Sequence, residues 1–439
     1  MDWAFPVAAF LATFVATRRS LGLGFLSVFA VGYFNGVVRA NFLGVYTTFL
    51  FDAGLLGLYV GFALFQSDRA AGIFSGPAGR FAAFLIGWPI ALSLLPVNDL
   101  FVQLVALRAT VWFLPIMLIA RTLSSADLAV LARGLAVLNV CALAGGAYVY
   151  QNGVAALYPE NAVTQIIYSS KDVGGFEYHR IPSTFLSAHA YGGAMLFSLP
   201  LLLGRSLGPD VRPAERVLAI AGVGAAVGGI LMCAARQPVV IFGLATLIAW
   251  ACTRFHPKIG LGAAGLVVAG LTIAVSDDRL DRAATLNDTE AVSDRVHASV
   301  SQSLLDLVIE YPLGAGMGSS VGTSIPYFFA GRAPVAIGLE NEYCRILIDQ
   351  GWVGLAAWLA FLGWVLLRPP PTRLESRWGL ALVLMYALVF TTWATAFIGT
   401  GMLSSIPGSV LLLTQMGMLI RVREASQGQT PQSTAEGRG

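Results

Sequence analysis

The chain has 439 residues, of which 56% are hydrophobic and only 12% are charged. A soluble domain carries roughly 25% charged residues because its surface must face water, so this composition excludes a soluble globular protein. The formal net charge of +3 is too small to indicate nucleic-acid binding. We predict an all-α polytopic membrane protein.

Apolar runs of helical length follow one another along most of the chain. Because a helix needs about 20 apolar residues to cross the hydrocarbon core, the runs predict about 12 or 13 transmembrane helices in a single domain over residues 1–423. The polar segment 424–439 is predicted to be a disordered tail. The predicted spans are residues 3–16, 21–38, 43–66, 81–96, 101–120, 128–150, 184–203, 217–234, 237–253, 259–275, 346–367, 378–398 and 402–420.

Positive residues in the short connections, beginning with Arg18 and Arg19, fall on one side of these spans. Short loops rich in arginine and lysine favour the cytoplasmic side, so this side and the C-terminus are predicted to be cytoplasmic. Two long loops, 151–183 and 276–345, then lie on the outer side. Long loops in a compact chain are often functional, and we expect these two, the second with short amphipathic helices, to cover a site on the outer face.

The first outer loop and a later helix junction each present an arginine. Arg180 precedes Ser183 and Thr184, which are expected to cap a helix that contains His189. Arg236 lies in a tight turn between two apolar runs, close to membrane depth, where a charge usually faces a cavity or a partner. For both arginines, the alternative is an interfacial side chain that contacts lipid headgroups.

The second outer loop holds two further constellations. Arg295 lies at the start of a segment with the pattern of an amphipathic helix on the membrane surface, and a glycine-rich stretch follows at 312–316. Glu340 precedes Asn341 and Tyr343 at the start of a later span. A surface ion pair is the alternative for Arg295, whereas Glu340 has no obvious local partner. Glu342 can complement the dipole of its own helix and pair with Arg345.

Two ionisable residues, Asp52 and Arg108, fall inside predicted spans. Charges at membrane depth are functional candidates by default, but these two can also pair with each other. A transporter or flippase would use them to line a charged path from both sides. A non-catalytic scaffold would instead leave the outer arginines pointing to separate places.

Taken in order, these segments resemble the motifs of the O-antigen ligase and polymerase superfamily of bacterial envelope glycosyltransferases. Residues 180–185 resemble its R-x-x-[GS]-T-F, 235–236 its S-R, 293–295 its S-G-R, 312–316 its P-L-x-G-x-G, and 340–354 its H-N-x-[YL]-x(7)-G-x-x-G. The sequence departs from these motifs at Ala235, Asp294 and Glu340. Ligases carry histidine at the position of Glu340, and glutamate at this position is more typical of polymerases.

The resemblance implies a metal-independent and cofactor-free polysaccharide polymerase in the bacterial inner membrane. It would transfer a glycan from a polyprenyl-pyrophosphate donor to a hydroxyl group of an acceptor glycan at the outer face. Further expected partners are membrane lipids and chain-length or export proteins. Nucleic acid is not expected as a partner. An O-antigen-type ligase and a transporter of lipid-linked sugars are the alternatives. The implied site consists of Arg180, Arg236 and Arg295 for the pyrophosphate, Glu340 and Arg295 for catalysis, and Asn341, Tyr343 and His189 as support.

The implied mechanism depends on charge that develops on the leaving group. Positioned guanidinium groups stabilise a departing pyrophosphate without a proton transfer. Glu340 would orient or deprotonate the acceptor hydroxyl group. Direct attack would invert the anomeric centre, a covalent glycosyl-Glu340 intermediate would retain it, and the sequence leaves both routes open.

Overall fold

The computed structural model describes residues 2–170, 179–209, 211–255, 304–320, 326–332, 341–368, 376–397 and 405–426, together with a few single residues between these ranges. The predicted span 259–275 and the predicted site residues Arg295 and Glu340 lie outside the described residues. Of Arg236, only the backbone is described.

The first 152 residues form helices that match the predicted spans in order. Short 3-10 helices over Tyr46–Phe49 and Val154–Ala156 lie next to two of the longer helices. The helices are α1 (Ala4–Arg19), α2 (Leu21–Asn41), α3 (Leu50–Phe65), α4 (Ser67–Ala70), α5 (Gly76–Ser93), α6 (Leu100–Val111), α7 (Pro115–Ala120) and α8 (Ser125–Asn152).

The rest of the described chain is also helical, with a further 3-10 helix over Tyr327–Arg332. The long helices again coincide with predicted spans. The helices are α9 (Gln165–Ser169), α10 (Ala188–Leu207), α11 (Pro213–Met232), α12 (Arg236–Cys252), α13 (Leu304–Glu310), α14 (Glu342–Leu366), α15 (Gly379–Ala394) and α16 (Gly408–Ser426).

Several of these helices have the length and composition of membrane spans. Within the described chain, six helical segments of 20 to 28 residues are apolar enough to cross a bilayer, and α12 and α15 contribute shorter apolar helices. The prediction of an all-α polytopic membrane protein is confirmed. The six segments are Leu21–Asn41, Tyr46–Phe65, Leu100–Ala120, Ser125–Asn152, Pro213–Met232 and Glu342–Leu366.

Helix α10 lies at the centre of the bundle. It packs against α8, α11, α15 and α16, and most of its side chains are buried. Near its C-terminal end, Arg205 pairs with Glu215 of α11 and packs on the ring of Trp378. The N-terminus of α10 therefore lies at the opposite end of the bundle, surrounded by the neighbouring helices.

We call the two ends of the bundle the arginine end and the loop end. At the arginine end, Arg69 pairs with Asp127 at the start of α8 (3.1 Å), and Arg121 after α7 pairs with Glu424 of α16 (3.0 Å). The loop end carries the described residues of the segments 153–187 and 304–341.

The predicted start of the polar tail is corrected by three residues. Helix α16 continues to Ser426, and Glu424 is buried because it pairs with Arg121. This ion pair holds the last turn of α16 on the bundle. Residues 427–439 lie outside the described residues.

Asp52 and Arg108 form the ion pair that the sequence offered as one of two alternatives. Arg108 donates from Nε to one carboxylate oxygen of Asp52 (2.7 Å) and from Nη2 to the other (2.6 Å). The ring of Phe49 also lies 5.9 Å from the Arg108 guanidinium carbon. Both oxygens of this carboxylate are therefore engaged inside the bundle.

Candidate functional site

The segment that precedes α10 is inserted against α2 at the loop end. The Thr184 hydroxyl donates to the Tyr33 carbonyl oxygen (2.6 Å), and the Val37 N–H donates to the Thr184 carbonyl oxygen (3.2 Å). Gly36 permits this contact, because a Cβ atom there would lie 2.1 Å from the Phe185 carbonyl carbon. One turn of α2 therefore anchors the segment that follows Arg180.

Ser183 fixes the same segment from the other side. It is fully buried, adopts a positive φ of 53°, and donates its hydroxyl to the Ala142 carbonyl of α8. The Tyr158 hydroxyl lies within hydrogen-bond distance of the carbonyl oxygens of Ser183 (2.8 Å) and Phe185 (2.7 Å). Two helices and the preceding loop thus hold this turn in place.

The predicted capping role of Ser183 and Thr184 is wrong. The cap is Ser187, whose side chain accepts the Ala190 N–H (3.1 Å), and α10 begins at Ala188 instead of residue 184. The reason is that the hydroxyls of Ser183 and Thr184 are used in contacts with α8 and α2. Their role is to position the turn after Arg180.

Arg180 contacts His189 in the first turn of α10. Its Nη1 lies 3.2 Å from Nε2 of His189, whose side chain is exposed. Arginine can only donate, so a hydrogen bond between these atoms has Nε2 as its acceptor, which a neutral imidazole with its proton on Nδ1 provides. Arg180 also lies within electrostatic range of the Cys233 thiol at the end of α11. The first predicted motif is thereby brought next to the second.

A pocket of about 110 Å³ opens where α10, α12, α15 and α16 meet. His189 and Gln237 lie on its wall, and Gln237 directly follows Arg236, the first residue of α12. Sequence reasoning missed the polar lining residues, because single serine, threonine and glutamine residues near apolar runs carry no specific signal. These are Gln237, Thr392, Ser405 and Ser409.

The turn between α11 and α12 is tight, as predicted. Ala234 adopts a positive φ of 50°, and Ala235 is buried. Gly192 of α10 gives the turn room, because a Cβ atom there would lie 2.7 Å from the Cys233 sulfur and 3.0 Å from Pro238. The start of α12, with the backbone of Arg236, is therefore held close to α10.

The start of α14 lies beside the end of α15. Asn341 caps α14, since its Oδ1 accepts the N–H groups of Tyr343 (2.9 Å) and Cys344 (3.2 Å). The Tyr343 hydroxyl donates to the Trp393 carbonyl (2.6 Å). Helix α15 also supplies Thr392 to the pocket, so Tyr343 connects the start of α14 with a helix that forms part of the pocket wall.

Glu342 has a structural partner. It is fully buried and accepts a hydrogen bond from Arg345 Nε (3.1 Å), the i+3 pair expected from the sequence. Its N–H donates to the Ala396 carbonyl after α15 (2.9 Å). These contacts fix the first turn of α14, immediately after the position of Glu340 in the sequence.

The glycine-rich segment 312–316 docks into a break in α14. Gly351 has a φ of +68°, and a Cβ atom there would lie 2.6 Å from the Leu313 carbonyl carbon. The Ala315 N–H donates to the Ile348 carbonyl (2.8 Å), and the Trp352 N–H donates to the Pro312 carbonyl (3.2 Å). This segment therefore anchors the second long loop to the bundle. A role in binding nucleotides is not needed to explain its glycines.

The described part of the chain contains no group of three or more histidine, cysteine or acidic side chains that could hold a metal ion. The site consists instead of a pocket lined by His189, Gln237 and Thr392, with Arg180 in contact with His189 and the start of α14 bonded to α15. No family model, curated protein or solved structure matches the chain. The function is therefore argued from the chemistry of this site.

Proposed function

We propose that this membrane protein is a bacterial polysaccharide polymerase of the O-antigen ligase and polymerase type. It would transfer a glycan from a polyprenyl-pyrophosphate donor to a hydroxyl group of an acceptor glycan. The observation that carries the proposal is that Arg180 contacts His189, and that His189 lines one pocket together with Gln237 at the start of α12. These elements come from two separate parts of the sequence, residues 180–189 and the start of α12.

The chemistry of this pocket suits an anionic leaving group. In the reaction, an acceptor oxygen attacks the anomeric carbon, and the bond from that carbon to the pyrophosphate oxygen breaks. The pyrophosphate leaves on its lipid with added negative charge, which Arg180 and Arg236 would stabilise by charge-assisted hydrogen bonds. The acceptor's proton would pass to Glu340, the residue before the Asn341 cap.

His189 supports the proposal as a positioning residue. Its neutral imidazole would accept from Arg180 and so hold the guanidinium at the first turn of α10. A phosphate oxygen is a stronger hydrogen-bond acceptor than a neutral imidazole. The pyrophosphate of a bound glycan donor would therefore compete with His189 for the N–H groups of Arg180. The arginine would then be released from His189 when its substrate arrives.

The proposed orientation places the loop end outside and the arginine end in the cytoplasm of an inner membrane. The arginine end holds the C-terminal end of α16 and the paired residues Arg69 and Arg121. Positive residues in short loops favour the cytoplasmic side. Lipid-linked glycans at the outer leaflet would then reach the pocket from the membrane.

Polymerase and ligase share this chemistry and differ in the acceptor. Glutamate at position 340, where ligases carry histidine, supports the polymerase. In a cell, loss of a polymerase leaves single repeat units, whereas loss of a ligase leaves long glycan on the lipid carrier. The length of the lipid-linked glycan therefore separates the two.

The decisive experiment replaces Arg180, Arg236 and Glu340 by glutamine, one at a time, in cells whose polymer depends on this chain. We expect each variant to reach normal protein levels and to lose long polymer. The matched control is Arg19→Gln, because Arg19 is an exposed arginine at the end of α1. Unchanged polymer in both Arg180→Gln and Glu340→Gln would refute the proposal.

A further inference from the structure

A second arginine at the loop end, Arg39, lies on a helix face that points into the bundle. It is in the last turn of α2. Gly32 lies seven residues earlier on the same face, and a Cβ atom there would lie 2.5 Å from Pro407 and 2.9 Å from Phe51. Asn35 falls between them, three residues after Gly32 and four before Arg39, and so belongs to the same stripe.

Two polar atoms of this stripe are buried and have no hydrogen-bond partner within the part of the chain that the structure describes. Asn35 is 4% exposed, and its Oδ1 atom accepts no hydrogen bond. The Nε atom of Arg39 is likewise buried and donates to no acceptor. Buried polar groups are nearly always paired, because desolvation without a hydrogen bond costs free energy. An unmet donor and an unmet acceptor one turn apart are available to a bound polar ligand.

The charges around Arg39 do not balance. Arg39 lies within electrostatic range of Arg108 and Asp52. Both oxygens of Asp52 accept from Arg108, so among these described groups two guanidinium groups share one carboxylate and leave one positive charge. A charge at membrane depth is costly unless it is neutralised. An anion that binds at Arg39 would neutralise it.

The surroundings favour an anion carried by a lipid. The loop after α8 covers one side of the α2 end, where Asn161 donates to the Ala40 carbonyl (2.9 Å). On leaving α2, the chain presents large apolar side chains that are about half exposed. Such a surface suits acyl chains next to a headgroup. These side chains are Phe42, Leu43, Val45 and Tyr46.

We propose that Arg39 and Asn35 bind a phosphate group that carries a neighbouring hydroxyl donor, in addition to the anion proposed for Arg180. Arg39 would donate to the phosphate oxygens, and Asn35 Oδ1 would accept from the hydroxyl group. An acidic glycerol phospholipid and free hydrogen phosphate both offer this chemistry. The inference does not depend on the proposed function, because it needs no glycosyl transfer.

The test measures ligand-dependent thermal stabilisation of the full-length chain in maltoside micelles, which contain no phosphate. One arm titrates inorganic phosphate, and the other adds phosphatidylglycerol. Both arms are run with and without Arg180→Gln, so that phosphate at the candidate functional site is accounted for. A ligand that binds only the folded state raises the Tm in proportion to its affinity. A rise in Tm with phosphatidylglycerol alone shows that the ligand is a lipid headgroup. A rise in Tm with both ligands shows that the site binds the phosphate group whether it is free or part of a lipid.

We expect Arg39→Gln to weaken the affinity about tenfold or more, the loss of one charge-assisted contact. Arg19→Gln, with the same change at the other end of the bundle, should keep the response. Arg39→Lys retains the positive charge but not the planar guanidinium, so its affinity should lie between those of Arg39→Gln and Arg19→Gln. It also keeps the test decisive if the glutamine variant does not fold.

A variant with the opposite sign separates binding from structure. Asp52→Asn adds one unit of positive charge beside Arg39, so the affinity should rise about two- to fivefold. A structural role for Arg39 would not produce this gain. The proposal is overturned if the wild-type chain responds to neither ligand. It is also overturned if Arg39→Gln and Arg39→Lys both respond like the wild-type chain, or if Arg19→Gln loses the response equally.

Discussion

Thr184 donates its hydroxyl to the carbonyl oxygen of Tyr33, a residue inside α2 that precedes it by 151 positions. The carbonyl of Thr184 in turn accepts the Val37 N–H. A single residue in the segment that precedes α10 therefore forms hydrogen bonds with two backbone groups of α2. Through this contact, α2 sets the position of the turn that follows Arg180.

Replacing Thr184 by valine tests this contact. Valine keeps the shape but leaves the buried Tyr33 carbonyl without its donor, which should cost about 1–3 kcal/mol. We expect a lower Tm in detergent and reduced polymer, because Arg180 loses its support. Thr246→Val is the matched control, since the Thr246 hydroxyl bonds only within its own helix, to the Phe242 carbonyl (2.7 Å). Equal effects of the two substitutions would contradict a special role for Thr184.

Gly36 tests the close approach of α2 and the turn before α10. Alanine at this position places a Cβ atom 2.1 Å from the backbone of Phe185, and overpacking against a backbone should cost at least about 3 kcal/mol. We expect little monodisperse protein on size-exclusion chromatography. Gly87→Ala in α5 meets nothing within 4 Å and should be neutral or gain up to about 1 kcal/mol. A well-behaved Gly36→Ala protein would show that the two segments do not pack as described.

His189 is predicted to act by accepting from Arg180 and not by its charge. Glutamine can also accept through Oε1, so His189→Gln should keep most of the activity. Phenylalanine cannot, and His189→Phe should lose about tenfold or more in rate, the value of one hydrogen bond to a charged group. The measurement is the rate of polymer formation with purified protein and lipid-linked donor. Similar rates in the two variants would argue against this role.

The break in α14 is predicted to require glycine at position 351. Gly351→Ala combines a positive φ of 68° with a Cβ atom 2.6 Å from Leu313, so segment 312–316 should no longer dock. We expect faster proteolysis within residues 304–320, with α14 still in the membrane. Gly363→Ala in the same helix makes only an ordinary contact at 3.6 Å with Leu367 and should resist the protease like the wild-type chain. Protection of the loop in Gly351→Ala would disprove the docking contact.

The positions of the helices could be predicted from the sequence, because the apolar runs directly record which segments leave water. The pairing of Asp52 with Arg108 was also foreseen, as one of two alternatives, since opposite charges at membrane depth stabilise each other. The i+3 contact of Glu342 with Arg345 follows from helix geometry alone. These features are local or depend only on composition.

Only the tertiary structure decided what the polar residues between the helices do. Ser183 and Thr184 fit a capping pattern, yet their hydroxyls bond to α8 and α2, and Ser187 is the cap. In the same way, the contact of Arg180 with His189 and the unmet groups of Asn35 and Arg39 depend on helices that are distant in sequence. Inside a membrane, apolar residues suit lipid and protein neighbours alike. Helix neighbours are therefore selected by small residues and specific hydrogen bonds, which leave no periodic pattern in the sequence.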